Sequence, residues 1–347
     1  MKIREAIKKV AAKKDLTGAE MGSVFRDMMS GKTTPSQIGS FITALRMKGE
    51  TAEEISAAAK VMREKAGKIK VSARSSELVD TCGTGGTGAK AVKTFNISTA
   101  AAFVLAGCGV KVAKHGNRAV SSECGSADVL AELGVKIEIF PSSTARCIDK
   151  IGIGFMFAPV FHSAMKYAGP VRREIGIRTI FNILGPLCNP LRAGRQLMGV
   201  YKKDLTEIMA HALKKLGSKR AYVVHGEGDM DEITLTGRTR ISELRNGKVR
   251  TFHVSPASFG MKKIPSASIK GGDAKKNAEI IRGILSGKKG PKRDIVLANA
   301  SFALMAAGKA SDPLEGVRLA ESAIDSGAAL KKLESLITET NKGRTRR

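Results

Sequence analysis

Three loop sequences carry the residue types that anion and metal chemistry requires. The first, TCGTGGTGAKAVKTFNIST at 81–99, places four glycines within residues 83–88. Glycine lets backbone N–H groups approach a phosphate with no Cβ in the way. Gly83, Gly85 and Gly88 fit G-x-G-x-x-G, but a dinucleotide site wants an acidic residue about 20 positions on, and Lys111, Lys114 and His115 follow instead. A P-loop fails too, because Ala89 separates Gly88 from Lys90, and Ala91 follows where Ser or Thr is needed. What remains is a glycine turn leading through Asn96-Ile97-Ser98-Thr99 into an alanine-rich helix. Ser98 or Thr99 can cap that helix, whose positive end favours a phosphate or pyrophosphate. Taken alone, an ordinary strand–turn–helix with a Ser/Thr cap explains the same residues equally well.

The second loop, KHGNRAVSSECGSAD at 114–128, gathers Lys114, His115, Asn117 and Arg118 around Gly116. A flexible point charge, two hydrogen-bonding groups and a planar fork are costly in a core and have no use in a plain turn, so the set reads as a binding loop. Gly125-Ser126 before Ala127-Asp128 makes a second anion seat at a helix start. The third loop, HGEGDMDE at 225–232, supplies Asp231-Glu232, with Asp229 as a spare carboxylate. Mg²⁺ takes one or two carboxylates, retained waters and phosphate oxygens, which such a pair can complete. A fourth stretch, GPVRREIGIRTIFNILGPLCNP at 169–190, brings Arg172, Arg173 and Arg178. An arginine pairs with a substrate carboxylate through two parallel bonds. One of the adjacent pair Arg172 and Arg173 reads as a surface residue.

These loops need elements to hold them. Residues 1 to about 70 read as helices, with capping boxes at Thr17/Glu20 and Thr51/Glu54 and proline at the first helical position after Thr34. Ile38, Phe41, Ile42 and Leu45 line one helical face, and Ile55, Ala58, Ala59 and Met62 another. From about 75, the strand candidates ELVDTC, VKVAKH, VKIEIF, GFMFAP, QLMGVY and RAYVVHG alternate with helical stretches. That alternation predicts an α/β fold, a mainly parallel sheet with crossover helices, beside a small N-terminal all-helical domain. Three helices follow after about 255. The three polar loops each succeed a strand candidate, so all converge on the carboxyl edge of the sheet, where open α/β sheets bind ligands.

Composition narrows the class. The chain has 347 residues, 42% of them hydrophobic and 4% aromatic, with 37 glycines, as in a globular protein of tight turns. Its 59 Lys and Arg against 32 Asp and Glu give a net charge of +27, which suits phosphorylated substrates. With no tryptophan and no aromatic-rich basic stripe, most of that charge reads as solvated surface, and nucleic acid is not expected as a partner. Cys82, Cys108, Cys124, Cys147 and Cys188 show no C-x-x-C spacing, which excludes a disulfide framework and a zinc knuckle and predicts a reducing compartment. The first helix lacks the apolar core of a signal peptide, and TAAAFVLAGCGV is too short to span a bilayer. A cytoplasmic protein without membrane contact is therefore expected.

At Gly83-Thr84-Gly85-Gly86, Asn96-Ile97-Ser98-Thr99, Lys114 to Arg118, Gly125 to Asp128, Val171 to Glu174 and Asp231-Glu232, the chain resembles the anthranilate phosphoribosyltransferase family of tryptophan biosynthesis. The likeness runs to about residue 338. It implies a nucleoside phosphorylase type III-like fold: a helical domain over 1–70, joined by a later helical segment near 162–185, an α/β phosphoribosyl-binding domain over 75–338, and a basic tail at 339–347. It implies a homodimer associating through the helical parts. The implied reaction is transfer of phosphoribose from phosphoribosyl pyrophosphate to the amino group of anthranilate, with Mg²⁺. A pyrimidine nucleoside phosphorylase shares the fold, but the Lys-His-Gly-Asn-Arg loop and the acidic pair favour the transferase.

Residue by residue, the resemblance gives Gly83, Gly86, Asn96, Ser98 and Thr99 to pyrophosphate, ribose and metal, and Lys114 and Ser126 to the diphosphate or 5'-phosphate. Ser98 would touch one Mg²⁺, and Asp231 and Glu232 would hold a second. Asn117 and Arg172 would meet anthranilate, Arg172 through the carboxylate, while His115 and His162 line the acceptor channel. Thr87, Thr94, Ile97, Gly116 and Arg118 complete the substrate-binding set, and Lys114, Asn117 and Arg172 are the catalytic candidates. Two departures stand out. The family's Gly-Thr-Gly-Gly-Asp ends here in Thr87, and GAKAVKT carries three extra residues, among which Lys90 and Lys93 could reach phosphate.

Overall fold

The computed structural model describes residues 1–85, 92–119 and 123–342. Gly86, Thr87 and Lys90 of the glycine loop, and residues 343–347 of the basic tail, lie outside the described residues. Four helices open the chain: α1 (Ile3–Ala11), α2 (Gly18–Met28), α3 (Pro35–Lys48) and α4 (Ala52–Lys65). Their starts are written locally. Thr17 and Glu20 bond reciprocally, as do Thr51 and Glu54, and Thr34 forms a third capping box with Gln37, beyond the two expected. Glu54 also fastens the bundle: fully buried, it accepts from Leu16 N at 2.9 Å and from Lys48 Nζ at 2.9 Å. The apolar stripes of α3 and α4 are buried throughout.

The sheet domain then runs β1 (Leu78–Gly83), α5 (Ile97–Gly107), β2 (Lys111–Gly116), α6 (Ser126–Glu132), α7 (Pro141–Ile151), β3 (Ile153–Phe157) and α8 (Ala158–Phe161). It continues through α9 (Gly169–Ile175), α10 (Ile180–Leu184), β4 (Arg195–Gly199), α11 (Leu205–Lys215), β5 (Arg220–Gly226), β6 (Thr239–Arg245) and β7 (Lys248–Val254). Four helices close it: α12 (Ala274–Leu285), α13 (Pro291–Ala307), α14 (Pro313–Asp325) and α15 (Ala328–Asn341). Among the described residues the sheet has seven strands in the order β3-β2-β1-β4-β5-β6-β7, parallel from β3 to β5 and antiparallel at β6 and β7. Strand order reverses between β1 and β4, where ligands bind open α/β sheets.

Strand alternation sorts the side chains between two layers. Val79, Val112, Leu197, Tyr222 and Val224 join α5, α13 and α15 in one core. Met198, Val200, Ala221 and Val223 join α11 and the four N-terminal helices in another. Helices α9 and α10 pack on α3 and α4.

One expectation needs correction, and one element lies beyond the expected set. VKIEIF is not a strand: Val135, Ile137 and Ile139 alternate into the core from an extended segment whose Lys136 N–H donates to Thr340 Oγ1 of α15 rather than to a ladder. Period two reports a one-sided extended chain, and pairing is a separate matter. Conversely, the β6–β7 hairpin was not expected, although Asn246-Gly247, both at positive φ (51° and 72°), is the strongest short hairpin signal.

Candidate active site

A cavity of about 840 Å³ opens at the carboxyl edge of the sheet, the size of a cofactor or substrate site. The alternation of β2 builds its two halves. Lys114 points to the α5 side and His115 to the side of the helical domain.

On the α5 side, the turn after β1 brings Gly83 to where a Cβ would meet Asp231 Oδ2 at 2.6 Å, so only glycine lets the carboxylate in. Asp231 Oδ2 accepts from Gly85 N at 3.1 Å, and Glu232 Oε1 accepts from Ser98 N at 3.2 Å. Ser98 thus lies in the first turn of α5 rather than capping it, and the carboxylate of a distant loop meets the helix's positive end. Asn96 holds the N-cap position but does not cap, and Thr99 Oγ1 is buried without a partner among the described residues. Burial and the adjoining Asp231 push Glu232 up to about 8, and burial also raises Asp231. Lys114 Nζ donates to the Thr81 carbonyl, its pKa lowered by burial and supported chiefly by the charge of Asp80. Ser126 Oγ donates to the Asn117 carbonyl at 3.4 Å.

On the opposite side, His115 Nδ1 lies 3.2 Å from the Gly185 carbonyl, and the His115 and His162 rings meet edge to face at 5.1 Å. Burial drives His115 down to about 3 and His162 to about 4, so both are neutral, and both Nε2 atoms are buried without partners among the described residues. Arg172 lies over the Phe181 ring at 5.3 Å, its pKa lowered by burial, with no ion pair among the described residues. Met62, Met165, Leu184 and Pro186 line this half. Because the two imidazoles stay neutral only when folded, stability is full above their unfolded pKa of 6.5 and falls with acid. Each histidine should cost roughly 2 kcal/mol between pH 6.5 and 5. Urea unfolding of the wild type and His162→Gln should therefore converge as pH falls.

The chain has close counterparts among known proteins. The profile described as glycosyl transferase family, a/b domain, matches residues 75–330, and that of the family's helical bundle domain matches 4–66. Anthranilate phosphoribosyltransferase of Geobacter sulfurreducens is 56% identical over 351 residues, covering 98% of this chain and 99% of that protein. The Methanocorpusculum labreanum enzyme is 56% identical over 335 residues, 96% and 97% of the two chains. The chain belongs to the anthranilate phosphoribosyltransferase family. Among solved structures, the family's Thermus thermophilus member superposes with a TM-score of 0.90 at 42% identity, covering 97% of this chain and 99% of that one. The Saccharomyces cerevisiae enzyme, solved with PRPP and Mg, gives 0.88 at 28%, covering 98% of each.

Of the residues that the family resemblance singled out, Gly83, Thr94, Asn96, Ser98, Thr99, Lys114, His115, Gly116, Asn117, Arg118, Ser126, His162, Arg172, Asp231 and Glu232 all line this one cavity. Three positions differ. Ile97 is fully buried in the core beneath α5 and does not reach the cavity. Arg118 lines it but is tied to Asp128 at 3.1 Å and Glu138 at 3.6 Å, which holds the loop more than it presents a free fork. Lys93 of the longer glycine loop pairs with Glu123 at 2.6 Å across the rim. Gly86 and Thr87 lie outside the described residues.

Sequence reasoning missed the layer behind the site. Asp80 is fully buried and accepts from His115 N at 3.1 Å and Asn189 Nδ2 at 2.8 Å, while Asn189 also donates to the Ala113 carbonyl. Asn277 and Gly272 reach the cavity wall from α12 and the turn before it. A buried Asp inside an apolar strand was a signal available for Asp80.

Proposed function

We propose that this chain binds phosphoribosyl pyrophosphate against α5, Lys114 and Mg²⁺, binds anthranilate between Arg172 and the two histidines, and joins them as N-(5-phosphoribosyl)anthranilate with release of pyrophosphate. The observation that carries the reading is one cavity whose glycine-lined half holds Lys114 beside the Asp231–Glu232 pair and whose apolar half, walled by two neutral imidazoles, holds the half-buried Arg172. The residues fit a divalent cation: Asp231 and Glu232 stand half-buried side by side, each accepting an N–H from another segment, and loss of solvation raises the pKa of both, that of Glu232 further because Asp231 adjoins it. Asp231 and Glu232 would hold the ion, with phosphate oxygens and water completing the coordination as Mg²⁺ prefers. Ser98 adds its hydroxyl to this set. When bound, Mg²⁺ neutralises charge on the pyrophosphate leaving group.

The chain's own groups do the rest. Lys114 places a fixed ammonium where negative charge grows, already desolvated and so without reorganisation. Anthranilate's aromatic amine is neutral at pH 7, so the neutral imidazoles need accept no proton in the bond-forming step; the arylammonium so formed is strongly acidic and gives its extra proton to the departing pyrophosphate or to water. They form a dry wall that excludes water from the ribose cation. Arg172 and Asn117 orient the acceptor. A homodimer joined through α1–α4 and a cytoplasmic setting belong to the same reading. No helix among the described residues is long and apolar enough to cross a membrane.

Loss of anthranilate fluorescence on adding phosphoribosyl pyrophosphate and Mg²⁺, abolished by EDTA, tests this function. In the same assay Arg172→Ala should raise the anthranilate KM at least about tenfold, with the phosphoribosyl pyrophosphate KM nearly unchanged. Equal rises would remove the carboxylate contact.

A further inference from the structure

Asn277 stands on α12, 181 residues beyond Asn96, yet the side chains meet: Asn277 Nδ2 donates to Asn96 Oδ1 at 3.2 Å. The polarity of this contact is fixed at both ends. Gly272 N donates to Asn277 Oδ1 at 2.9 Å, which leaves the Asn277 amide nitrogen facing Asn96. Asn96 Nδ2 donates to the Cys124 carbonyl at 3.1 Å, which turns its oxygen toward Asn277. An asparagine at an N-cap ordinarily spends its side chain on its own helix. Asn96 instead commits both amide atoms to other segments.

The relay therefore runs from α12, through the residue ahead of α5, into the loop ahead of α6, and ties two phosphate-facing loops together. Backbone contacts hold the same strap: Thr94 and Lys270 form an antiparallel bridge, and Gly271 N donates to the Lys93 carbonyl at 2.9 Å. A Cβ on Gly271 would stand 2.5 Å from Phe95 N and 2.8 Å from Asn277 Oδ1, so this approach needs glycine. Asn277 is only 2% exposed.

We infer that Asn277 is a positioning residue for the phosphoribosyl donor, acting through Asn96 to hold the end of the glycine loop and the 124–126 turn at one spacing. The inference rests on reading the cavity as a phosphoribosyl pyrophosphate site. Asn277→Asp keeps the volume but sets an oxygen against Asn96 Oδ1. It should raise the phosphoribosyl pyrophosphate KM about tenfold, the cost of one buried hydrogen bond, with kcat and the anthranilate KM changed less than about twofold. Asn277→Ala should behave alike. Because the effect passes through Asn96, the Asn96→Ala/Asn277→Ala pair should bind no more weakly than Asn96→Ala alone. Additive losses, or a lowered Tm with both KM values moved together, would overturn the inference and leave Asn277 a structural residue. Calorimetry of the wild type with phosphoribosyl pyrophosphate and Mg²⁺ separates the two levels, since absence of binding there overturns the site reading and this inference with it.

Discussion

Lys114→Met should lower kcat by about 10³-fold while the anthranilate KM stays within about threefold, as expected when a preorganised charge aimed at developing negative charge is removed. The side chain is almost fully buried, donates to the Thr81 carbonyl and feels chiefly the charge of Asp80, so its position is set before substrate arrives. Methionine keeps the stem and loses the charge. The variant strands Asp80, whose carboxyl burial already raises, and a buried unpaired carboxylate usually costs several kcal/mol unless it takes a proton. Asp80 has an escape: it retains the His115 N–H and Asn189 donors, and protonation removes its charge. Lys114→Met/Asp80→Asn should therefore regain thermal stability without regaining turnover. Recovery of kcat in the double variant would show that Lys114 serves the fold and not the transition state.

How much of this is legible in the sequence depends on where the signal lies. The capping boxes of α2 and α4 and the buried stripes of α3 and α4 follow from spacing alone, because each is a contact within one helix. The three polar loops can be placed at one sheet edge because parallel strands put every following loop there. Their relation to one another cannot be read. That Glu232 meets Ser98 N, or that Asp231 accepts from Gly85 N, depends on contacts 134 and 146 residues apart. The same holds for Asn277, which on its helix looks like one more polar residue in a lysine-rich turn. Asp80 shows a different failure. Its strand reads as apolar, and the charge inside it passes as part of the strand and not as a partner of the next one. VKIEIF fails because alternation reports which side of an extended chain is buried, and an extended chain against α15 alternates as well as a strand does.

Glu232→Gln should abolish the metal dependence that the acidic pair supports, with kcat/KM for phosphoribosyl pyrophosphate falling about 10²- to 10³-fold at saturating Mg²⁺. The amide is nearly isosteric and can still accept from Ser98 N, so α5 keeps its partner and the fold its stability. What it loses is charge. Without a cation, burial and Asp231 hold Glu232 near 8, above its ordinary 4.5, so at pH 7 the protonated form prevails in the wild-type protein. A metal binds the carboxylate form, and binding must expel that proton. Calorimetric Mg²⁺ titrations of the phosphoribosyl pyrophosphate complex, in buffers of different ionisation enthalpy, should therefore report close to one proton released per metal at pH 7. Release should shrink toward zero above about pH 9, and Mg²⁺ affinity should weaken about tenfold for each unit of acidification below 8. Glu232→Gln should show neither the release nor the slope. Asp231→Asn should show less release at pH 7, because removing the neighbouring charge lets Glu232 ionise at lower pH. Proton release undiminished in Glu232→Gln would place the metal on other groups.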